Sequence, residues 1–322
     1  MLIDIVGAGS LGLLFGGKLA RSGSRVRIWS RSAGQADELR HFGIHIAKDG
    51  ESGIRANPTQ FQSGTIGQLG QAWEMEPGNY VLVMTKQKDA EAVCRYLSEF
   101  RLPQGASPPV LVCFQNGYGH MDRLKAILPE WDMLAAVTTE GAKRTSFHEV
   151  FHAGSGDTWI GESGTGGVAR EDSSRWLNLV HAFEKAGFYP VLSNEIDNMM
   201  FRKLLINAVI NPLTALWRIP NGDLLISPAR IKLMKELYNE TISVYDACGI
   251  RHEDDMWDQI LNVCRATSGN TSSMLKDVLA GSPTEIGWIN GSIAAMAQKA
   301  GVQAPANELM TRLIEGIIAE EE

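Results

Sequence analysis

The sequence is short of several features that would place it in a special class of protein. Its 322 residues include only four cysteines, with no C-x-x-C pair, so neither a disulfide framework nor a cysteine zinc site is indicated. There is no run of Lys and Arg, and 30 basic against 37 acidic residues give a formal charge of −7, which disfavours nucleic acid as a partner. No apolar run approaches the roughly 20 residues that a membrane helix needs. We therefore expect a soluble, cytoplasmic protein with no nucleic-acid or membrane partner.

Glycine, in contrast, is abundant. The 33 glycines are about 10% of the chain, above the roughly 7% that is usual. Such a surplus indicates many backbone turns, or a ligand that lies close against the main chain. The length itself predicts two domains, at about 150 residues for each.

The first part of the chain alternates strand-like and helix-compatible stretches, which is typical of a parallel sheet covered by helices. The strand-like runs are Leu2 to Val6, Arg25 to Trp29, Tyr80 to Met84 and Val110 to Phe114. Leu134 to Gly161 differs, because alternation punctuated by glycine predicts antiparallel hairpins at the end of that sheet.

The second part of the chain is helical nearly throughout, beginning at about Asn194. The expected helices are Asp197 to Trp217, Ser227 to Cys248, Asp254 to Thr267, Ser272 to Ala280, Pro283 to Ala300 and Ala306 to the C-terminus. We therefore predict an α/β protein in which residues 1–194 form a parallel-sheet domain and residues 195–322 form an all-α domain.

A glycine turn follows the first predicted strand directly and opens a helix. It reads Gly7-Ala8-Gly9-Ser10-Leu11-Gly12, the G-x-G-x-x-G spacing. In such a turn the first glycine allows the tight bend, the second admits a pyrophosphate beside the backbone, and the third allows close packing of the helix. N–H groups at the helix N-terminus then bind the phosphates. The surrounding strand and helix favour a dinucleotide over a turn without a ligand, and they indicate a Rossmann-type domain.

The end of the second strand distinguishes the two nicotinamide dinucleotides. An acidic residue there would accept hydrogen bonds from the ribose 2′-OH of NAD, but this chain has Ser30, Arg31 and Ser32. The guanidinium of Arg31 suits a phosphate and favours NADP(H), with a solvated surface arginine as the alternative. Loops after two further strands contain Lys86 and Asn116, and both are candidates for cofactor contacts, since ligands lie at the carboxyl ends of parallel strands.

A polar stripe marks one apolar helix of the second part. Lys203, Asn207 and Asn211 are spaced at i, i+4 and i+8, which places them on one helix face. Buried polar groups need partners, and a polar substrate would satisfy them as well as interhelical hydrogen bonds or a water-filled seam would. Desolvation would lower the pKa of Lys203 and make it a competent proton donor.

Two polar segments of the last third have structural explanations. Ser282 as N-cap, Pro283 at the first helical position and Glu285 at the third satisfy a capping box. Taken alone, that explanation accounts fully for Glu285. Ser272 or Ser273 is likewise explained as a helix cap.

One segment matches a zinc-binding catalytic motif in sequence but not in expected structure. His148-Glu149-Val150-Phe151-His152 matches H-E-x-x-H, which binds zinc when both histidines lie on one helical turn. Glycines follow at once and the alternation continues, which favours a strand. On a strand the two histidines lie about 13 Å apart, too far to share a metal. We expect no metal site here.

The chain resembles the ketopantoate reductases (2-dehydropantoate 2-reductases) over most of its length. The resemblance is strongest in Ile5 to Gly12, Thr85-Lys86, Gln115 to Gly119, Arg202 to Leu225 and Asn270 to Gly291. The segments RKLLINAVINPLTALWRIPNG and NTSSMLKDVLAGSPTEIGWING are far more specific than the glycine motif.

The resemblance implies a role for each matching residue. Lys203 would be the proton donor, and the substrate would be held by Asn207, Asn211, Asn221 and Ser273. Glu285 would orient the site and touch the cofactor, which Lys86, Asn116 and Ala142 would also contact, and Asn116 would meet the substrate as well. For Glu285, the role that the resemblance implies outweighs the explanation as part of a capping box.

The implied reaction is hydride transfer from NADPH to the C2 ketone of 2-dehydropantoate, with Lys203 protonating the developing alkoxide to give pantoate for coenzyme A synthesis. Two alternatives stay open: an NADP-dependent reductase of another 2-oxo acid, and a non-enzymatic NADP-binding sensor. The presence of Lys203 and Glu285 together argues against the sensor. The sequence allows a homodimer without requiring one.

Overall fold

The structure is a computed structural model that describes residues 1–100, 102, 107–164 and 174–317. The chain divides into two compact units. One comprises Met1–Gln115 and His120–Ile196, and the other comprises Asn116–Gly119 and Asp197–Glu322. The short segment Asn116–Gly119 therefore belongs with the later, helical residues, although strands and helices of the first unit flank it in sequence.

The first unit contains the strands. They are β1 (Leu2–Val6), β2 (Arg25–Ser30), β3 (Ile44–Ala47), β4 (Ile54–Ala56), β5 (Gln62–Thr65), β6 (Tyr80–Val83), β7 (Val110–Cys113), β8 (Met133–Thr138), β9 (Gly141–Arg144), β10 (Glu149–Gly154), β11 (Asp157–Gly161) and β12 (Tyr189–Leu192). Its helices are α1 (Ser10–Arg21), α2 (Ala33–Phe42), α3 (Leu69–Met75), α4 (Gln87–Ser98), α5 (His120–Ile127) and α6 (Ser174–Lys185).

Among the described residues, eight strands form one sheet in the order β12-β11-β8-β7-β6-β1-β2-β5. All of its neighbouring strands run parallel except β8 and β11. Every residue of β1, β6 and β7 is buried, as expected for central strands with both faces covered. These strands end at the glycine turn and at the loops that contain Lys86 and Asn116. The predicted α/β fold class is confirmed.

The hairpin segment of the first unit follows the prediction in part. β8 pairs antiparallel with β11, and β9 pairs antiparallel with β10. The expected position was wrong for β9 and β10. These two strands are not part of the large sheet, and they pair with β3 and β4 in a second sheet of order β4-β3-β10-β9. The isoleucines of β3 lie against helix α1 at Gly17, so this sheet covers a helix face that the large sheet does not reach.

The first unit also holds a charged group within its sheet. Asp4 on β1 is fully buried, and its carboxylate accepts two hydrogen bonds from Arg27, at 2.8 and 2.7 Å. The indole N–H groups of Trp29 and Trp73 donate to the same carboxylate at 2.7 and 2.9 Å. Four donors and an ion pair offset the desolvation of the buried charge.

The second unit is helical. Its helices are α7 (Ile196–Trp217), α8 (Pro228–Ala247), α9 (Met256–Ala266), α10 (Ser273–Leu279), α11 (Asn290–Ala300) and α12 (Pro305–Glu315). Two predicted boundaries were wrong: the helix expected from Pro283 begins at Asn290, and α12 ends at Glu315, before the C-terminus. Residues 318–322 of that expected helix lie outside the described residues. In the described part of the chain, no helix combines the length and the apolar run that a bilayer crossing requires.

Candidate active site

The glycine turn of the first unit has the geometry that a pyrophosphate requires. Gly7 has φ +109°, and a Cβ there would lie 2.8 Å from the backbone of Met84. A Cβ on Gly12 would lie only 1.9 Å from the carbonyl oxygen of Gly7, while a Cβ on Gly9 would meet nothing within 4 Å. The bend and the helix packing therefore require Gly7 and Gly12. Gly9 borders open space, so the turn can admit a ligand at this point.

The helix that follows the turn begins without a local partner for its first N–H groups. Gly9 is the N-cap residue of α1 and has extended backbone, and within the described chain no side chain caps this end. Its first turn, which includes Ser10 and Leu11, carries no acidic residue. Open N–H groups and the positive end of the helix dipole favour an anion here. This is the chemistry that a dinucleotide phosphate needs.

Two residues that the sequence did not indicate support this turn. Gln35 is buried, and its Nε2 donates to the carbonyl of Ala8 at 2.8 Å and to that of Phe147 at 3.0 Å. The backbone N–H of Arg144 donates to Ser10 Oγ at 3.0 Å, and its Nη1 lies 3.4 Å from the Ala8 carbonyl oxygen. Arg144 therefore places a cation beside the turn. In the sequence, Arg144 could have been suspected because it lies two residues after Ala142, a predicted cofactor contact. No nearby motif indicated a role for Gln35.

The end of β2 presents a guanidinium rather than a free carboxylate. Arg31 is exposed and directly follows the strand. The next carboxylates along the chain are both engaged: Asp37 pairs with Arg40 at 2.6 Å, and Glu38 lies 2.8 Å from His148 Nδ1. A ribose 2′-phosphate suits this arrangement better than a 2′-hydroxyl does. The residues at this end of the sheet therefore fit NADP(H).

Two further residues that the family resemblance indicated lie in the first unit. Lys86 is the N-cap residue of α4, in the loop that follows β6, the strand beside β1. Ala142 lies on β9, opposite His152 of β10, and is partly buried. Both positions are described here, and their contact with a cofactor stays a prediction.

Residues 149–152 of the H-E-x-x-H segment lie on a strand, as predicted, and His148 immediately precedes it. β10 begins at Glu149, and the three motif side chains have separate partners. His148 faces Glu38, Glu149 lies 2.8 Å from His45 Nδ1, and His152 lies 2.5 Å from a buried carboxylate oxygen of Glu140. No group of three metal-ligating side chains occurs among the residues described.

The polar stripe of the second unit lies on α7, the helix that the sequence predicted. Lys203 and Asn207 are partly exposed, and Asn211 is buried. Burial lowers the pKa of Lys203 to about 8, and the negative charge of Glu285 acts in the opposite direction. An ammonium group with this pKa is charged near neutrality and can still release its proton.

Glu285 is not part of a capping box. The residue precedes a short 3₁₀ helix, Ile286–Trp288, and Asn116 Nδ2 donates to its Oε2 at 3.2 Å. The expected N-cap, Ser282, instead ends the preceding helix, because its N–H donates to the Asp277 carbonyl at 2.9 Å. Tertiary partners therefore decide the position of Glu285, and a local cap does not.

The remaining predicted substrate residues also lie in the second unit. Asn221 is buried, and its Nδ2 donates to Thr267 Oγ1 at 2.9 Å. The Oδ1 of Asn221 is a buried acceptor without a donor among the described residues, which leaves it available to a ligand hydroxyl. Ser272 caps α10 by accepting from the N–H of Leu275 at 3.1 Å, while Ser273 is exposed. Of the two serines, only Ser272 is used as a cap.

The second unit therefore brings together a cation, a carboxylate and several amides. Lys203 lies within electrostatic reach of Glu285, and Asn116 holds that carboxylate. The segment of Asn116 packs in the same unit, where the ring of Tyr118 lies 4.7 Å from that of Phe201. Such a set can bind a small polar anion, donate a proton to an oxygen and stabilise negative charge on it.

Comparison with known proteins gives one family for both parts of the chain. Residues 3–164 match the family model described as ketopantoate reductase PanE/ApbA, and residues 195–318 match the model of its C-terminal domain. Among curated relatives, the 2-dehydropantoate 2-reductase of Vibrio cholerae is 29% identical over 315 residues, which cover 98% of this chain and 97% of that protein.

Solved structures share the fold over nearly the whole chain. The 2-dehydropantoate 2-reductase of Geobacter metallireducens has a TM-score of 0.83 at 25% identity, covering 98% of this chain and 99% of the other. A D-mandelate dehydrogenase solved with NADH and anilino(oxo)acetate has a TM-score of 0.84 at 20% identity, covering 98% of both chains. At that identity the second likeness concerns the fold alone.

Proposed function

The chain belongs to the ketopantoate reductase family, and from that membership we propose that it reduces 2-dehydropantoate to pantoate with NADPH, a step that serves pantothenate and coenzyme A synthesis. The half-buried Lys203, which shares a helix face with two asparagines and lies near Glu285, is the observation that carries this proposal. A sensor that only binds the dinucleotide would need neither residue.

The two parts of the chain have separate duties in this proposal. Residues 1–194 bind the dinucleotide through the turn from Gly7 to Gly12, with Arg31 at the 2′-phosphate and Lys86 and Ala142 as further contacts. When bound, NADPH supplies the hydride that the ketone carbon of the substrate accepts. Residues 195–322 hold the substrate and supply the proton.

The residues of the second unit act on the substrate oxygen. The ammonium group of Lys203 attracts the carbonyl oxygen, stabilises the charge that develops there and then donates its proton to give the hydroxyl of pantoate. Asn207, Asn211, Asn221 and Ser273 orient the substrate. Glu285 keeps Lys203 protonated and is itself held by Asn116, which also reaches the substrate and cofactor.

An NADPH oxidation assay with 2-dehydropantoate tests the function. We expect turnover with 2-dehydropantoate and much lower kcat/KM with other 2-oxo acids, phenylglyoxylate included. A higher kcat/KM for another acid would assign the protein to that substrate. NADPH binding without turnover of any 2-oxo acid would favour a sensor.

The same assay with both cofactors tests Arg31. Removal of its guanidinium in Arg31→Ala is expected to raise the KM for NADPH roughly tenfold and leave the KM for NADH nearly unchanged, because only NADPH carries the 2′-phosphate. Arg40→Ala is the matched control, since Arg40 pairs with Asp37 on the neighbouring helix. Equal effects on both cofactors would contradict the role of Arg31.

A homodimer and a cytoplasmic location stay predictions from the sequence. Size-exclusion chromatography with light scattering would determine whether the protein is a homodimer.

A further inference from the structure

Helix α7 contains a proline in its interior, beside the polar stripe. Pro212 has no N–H, so the carbonyl of Ala208, four residues earlier, lacks the hydrogen bond that the helix would otherwise give it. Ala208 is fully buried, so bulk water cannot supply the donor. A residue that precedes a proline disfavours helical backbone, yet Asn211 lies inside the helix. The helix nevertheless continues to Trp217, so a group outside it must compensate.

The side chain of Asn290, the first residue of α11, supplies the missing donor. Its Nδ2 lies 3.0 Å from the carbonyl oxygen of Ala208, and the residue is fully buried. A buried carbonyl that loses its donor destabilises the fold, and this contact prevents that loss. Asn290 thus takes the place of the N–H that Pro212 cannot offer.

A series of hydrogen bonds sets the direction in which the Asn290 amide points. On α8, the carboxylate of Glu240 accepts from the backbone N–H and the Nδ2 of Asn307, at 2.8 and 2.9 Å. A carboxylate only accepts, so the Nδ2 of Asn307 faces Glu240 and its Oδ1 faces Asn290. That oxygen takes one hydrogen of the Asn290 amide at 2.9 Å and leaves the other for Ala208. The carboxylate of Glu240 on α8 therefore orients, through Asn307, the Asn290 amide that donates to α7.

We propose that Asn290 is a positioning residue for the polar stripe of α7. The proposal rests on the proposed function, because the stripe must hold the substrate for its position to affect catalysis. Ala208 lies between Asn207 and Asn211, so the bond to its carbonyl fixes the helical turn that carries both amides. Without the bond, α7 bends at Pro212 and the two amides leave their line with Lys203. Asn290 acts through the helix backbone, and it is not a catalytic residue.

Restoring the missing N–H tests this role. Steady-state kinetics and the NADPH Kd are measured for Asn290→Ala, for Pro212→Ala and for the double variant. Asn290→Ala is expected to raise the KM for 2-dehydropantoate roughly tenfold, with a smaller change in kcat and an unchanged NADPH Kd. In the Pro212→Ala background the backbone at position 212 donates to Ala208 itself, so the same change should raise KM by less than about twofold.

Thr241→Val is the matched control. The Thr241 hydroxyl is buried and accepts from Asn307 Nδ2 at 3.4 Å, within the same network but away from Ala208, so its loss should leave KM unchanged. An Asn290→Ala variant with the wild-type KM, or one that raises KM equally in both backgrounds, would overturn the proposal. If Asn290→Ala alone does not fold, the double variant decides. A folded double variant with the KM of Pro212→Ala supports the role, and an unfolded one refutes it.

Failure of the proposed function has a different signature. In that case the wild-type protein itself does not turn over 2-dehydropantoate. The same double-mutant cycle is then measured on the free energy of unfolding by denaturant. Asn290→Ala must be less destabilising in the Pro212→Ala background than in the wild type. Equal destabilisation in the two backgrounds would show that Asn290 does not replace the missing N–H.

Discussion

Lys203 shows how the environment of a single residue can suit a lysine to the proposed role of proton donor. Its helix face is half-buried, and desolvation lowers its pKa to about 8, while Glu285 limits the decrease. A lysine in water would hold its proton too tightly to release it readily near neutral pH. Position on α7 and a carboxylate held by Asn116 are therefore as important as the residue type.

Removing the side-chain amine of Lys203 should greatly reduce turnover and leave cofactor binding unchanged. We expect Lys203→Ala to lose a factor of roughly 10² or more in kcat, because no other group then protonates the alkoxide. The NADPH Kd, measured by fluorescence titration, should stay within about twofold of wild type, since the glycine turn is unchanged. Near-normal turnover would rule out Lys203 as the proton donor.

The rate of reduction should depend on pH through the same group. Lys203 donates a proton only when charged, so log kcat/KM should be level below about pH 8 and fall above it. Glu285→Gln removes the charge that raises the pKa of Lys203, and the alkaline limb should therefore move to lower pH. Glu149→Gln, which alters the hydrogen-bonded contact with His45 in the first unit, is the control and should leave the limb in place. A limb that does not move in Glu285→Gln would contradict the coupling.

At the scale of an element, the glycine turn should separate Gly12, which the fold needs, from Gly9, which we propose that the ligand needs. Gly12→Ala would place a Cβ 1.9 Å from the Gly7 carbonyl oxygen, so we expect a loss of at least about 2 kcal/mol in unfolding free energy. Gly9→Ala meets no atom within 4 Å, so stability should stay within about 1 kcal/mol of wild type. The NADPH Kd of Gly9→Ala should nevertheless rise tenfold or more, because the methyl group occupies the phosphate space. Wild-type affinity in Gly9→Ala would place the pyrophosphate elsewhere.

Two elements show where local sequence patterns mislead. Ser282, Pro283 and Glu285 satisfy a capping box in sequence, yet no α-helix begins there and only a short 3₁₀ helix follows Glu285. Glu285 has a tertiary partner in Asn116, and Ser282 closes the preceding helix. The helix then begins at Asn290, whose side chain bonds to α7. A pattern of three or four residues carries no information about either distant partner.

At the scale of the whole molecule, cofactor binding should appear as added stability. A ligand that binds only the folded chain at 100 times its Kd stabilises it by about 2.7 kcal/mol. We expect NADPH to raise the melting temperature of the wild type and of Lys203→Ala equally, because the variant keeps the glycine turn of the wild type. At the same NADPH concentration Gly9→Ala should show little shift. An equal shift in Gly9→Ala would contradict the assignment of the turn to the cofactor.

The sequence alone determined the α/β class, the glycine turn and the helix that carries Lys203, since each depends on residues close together in the chain. Strand alternation, three glycines at fixed spacing and a four-residue polar period are local properties, and backbone sterics act on them directly. Three further features became visible in the folded chain: β9 and β10 join β3 and β4, Asn116 donates to Glu285, and Asn290 donates to the Ala208 carbonyl that Pro212 leaves without an N–H. These contacts join residues 82 to 169 positions apart, and their formation depends on which buried polar groups lack a nearer partner.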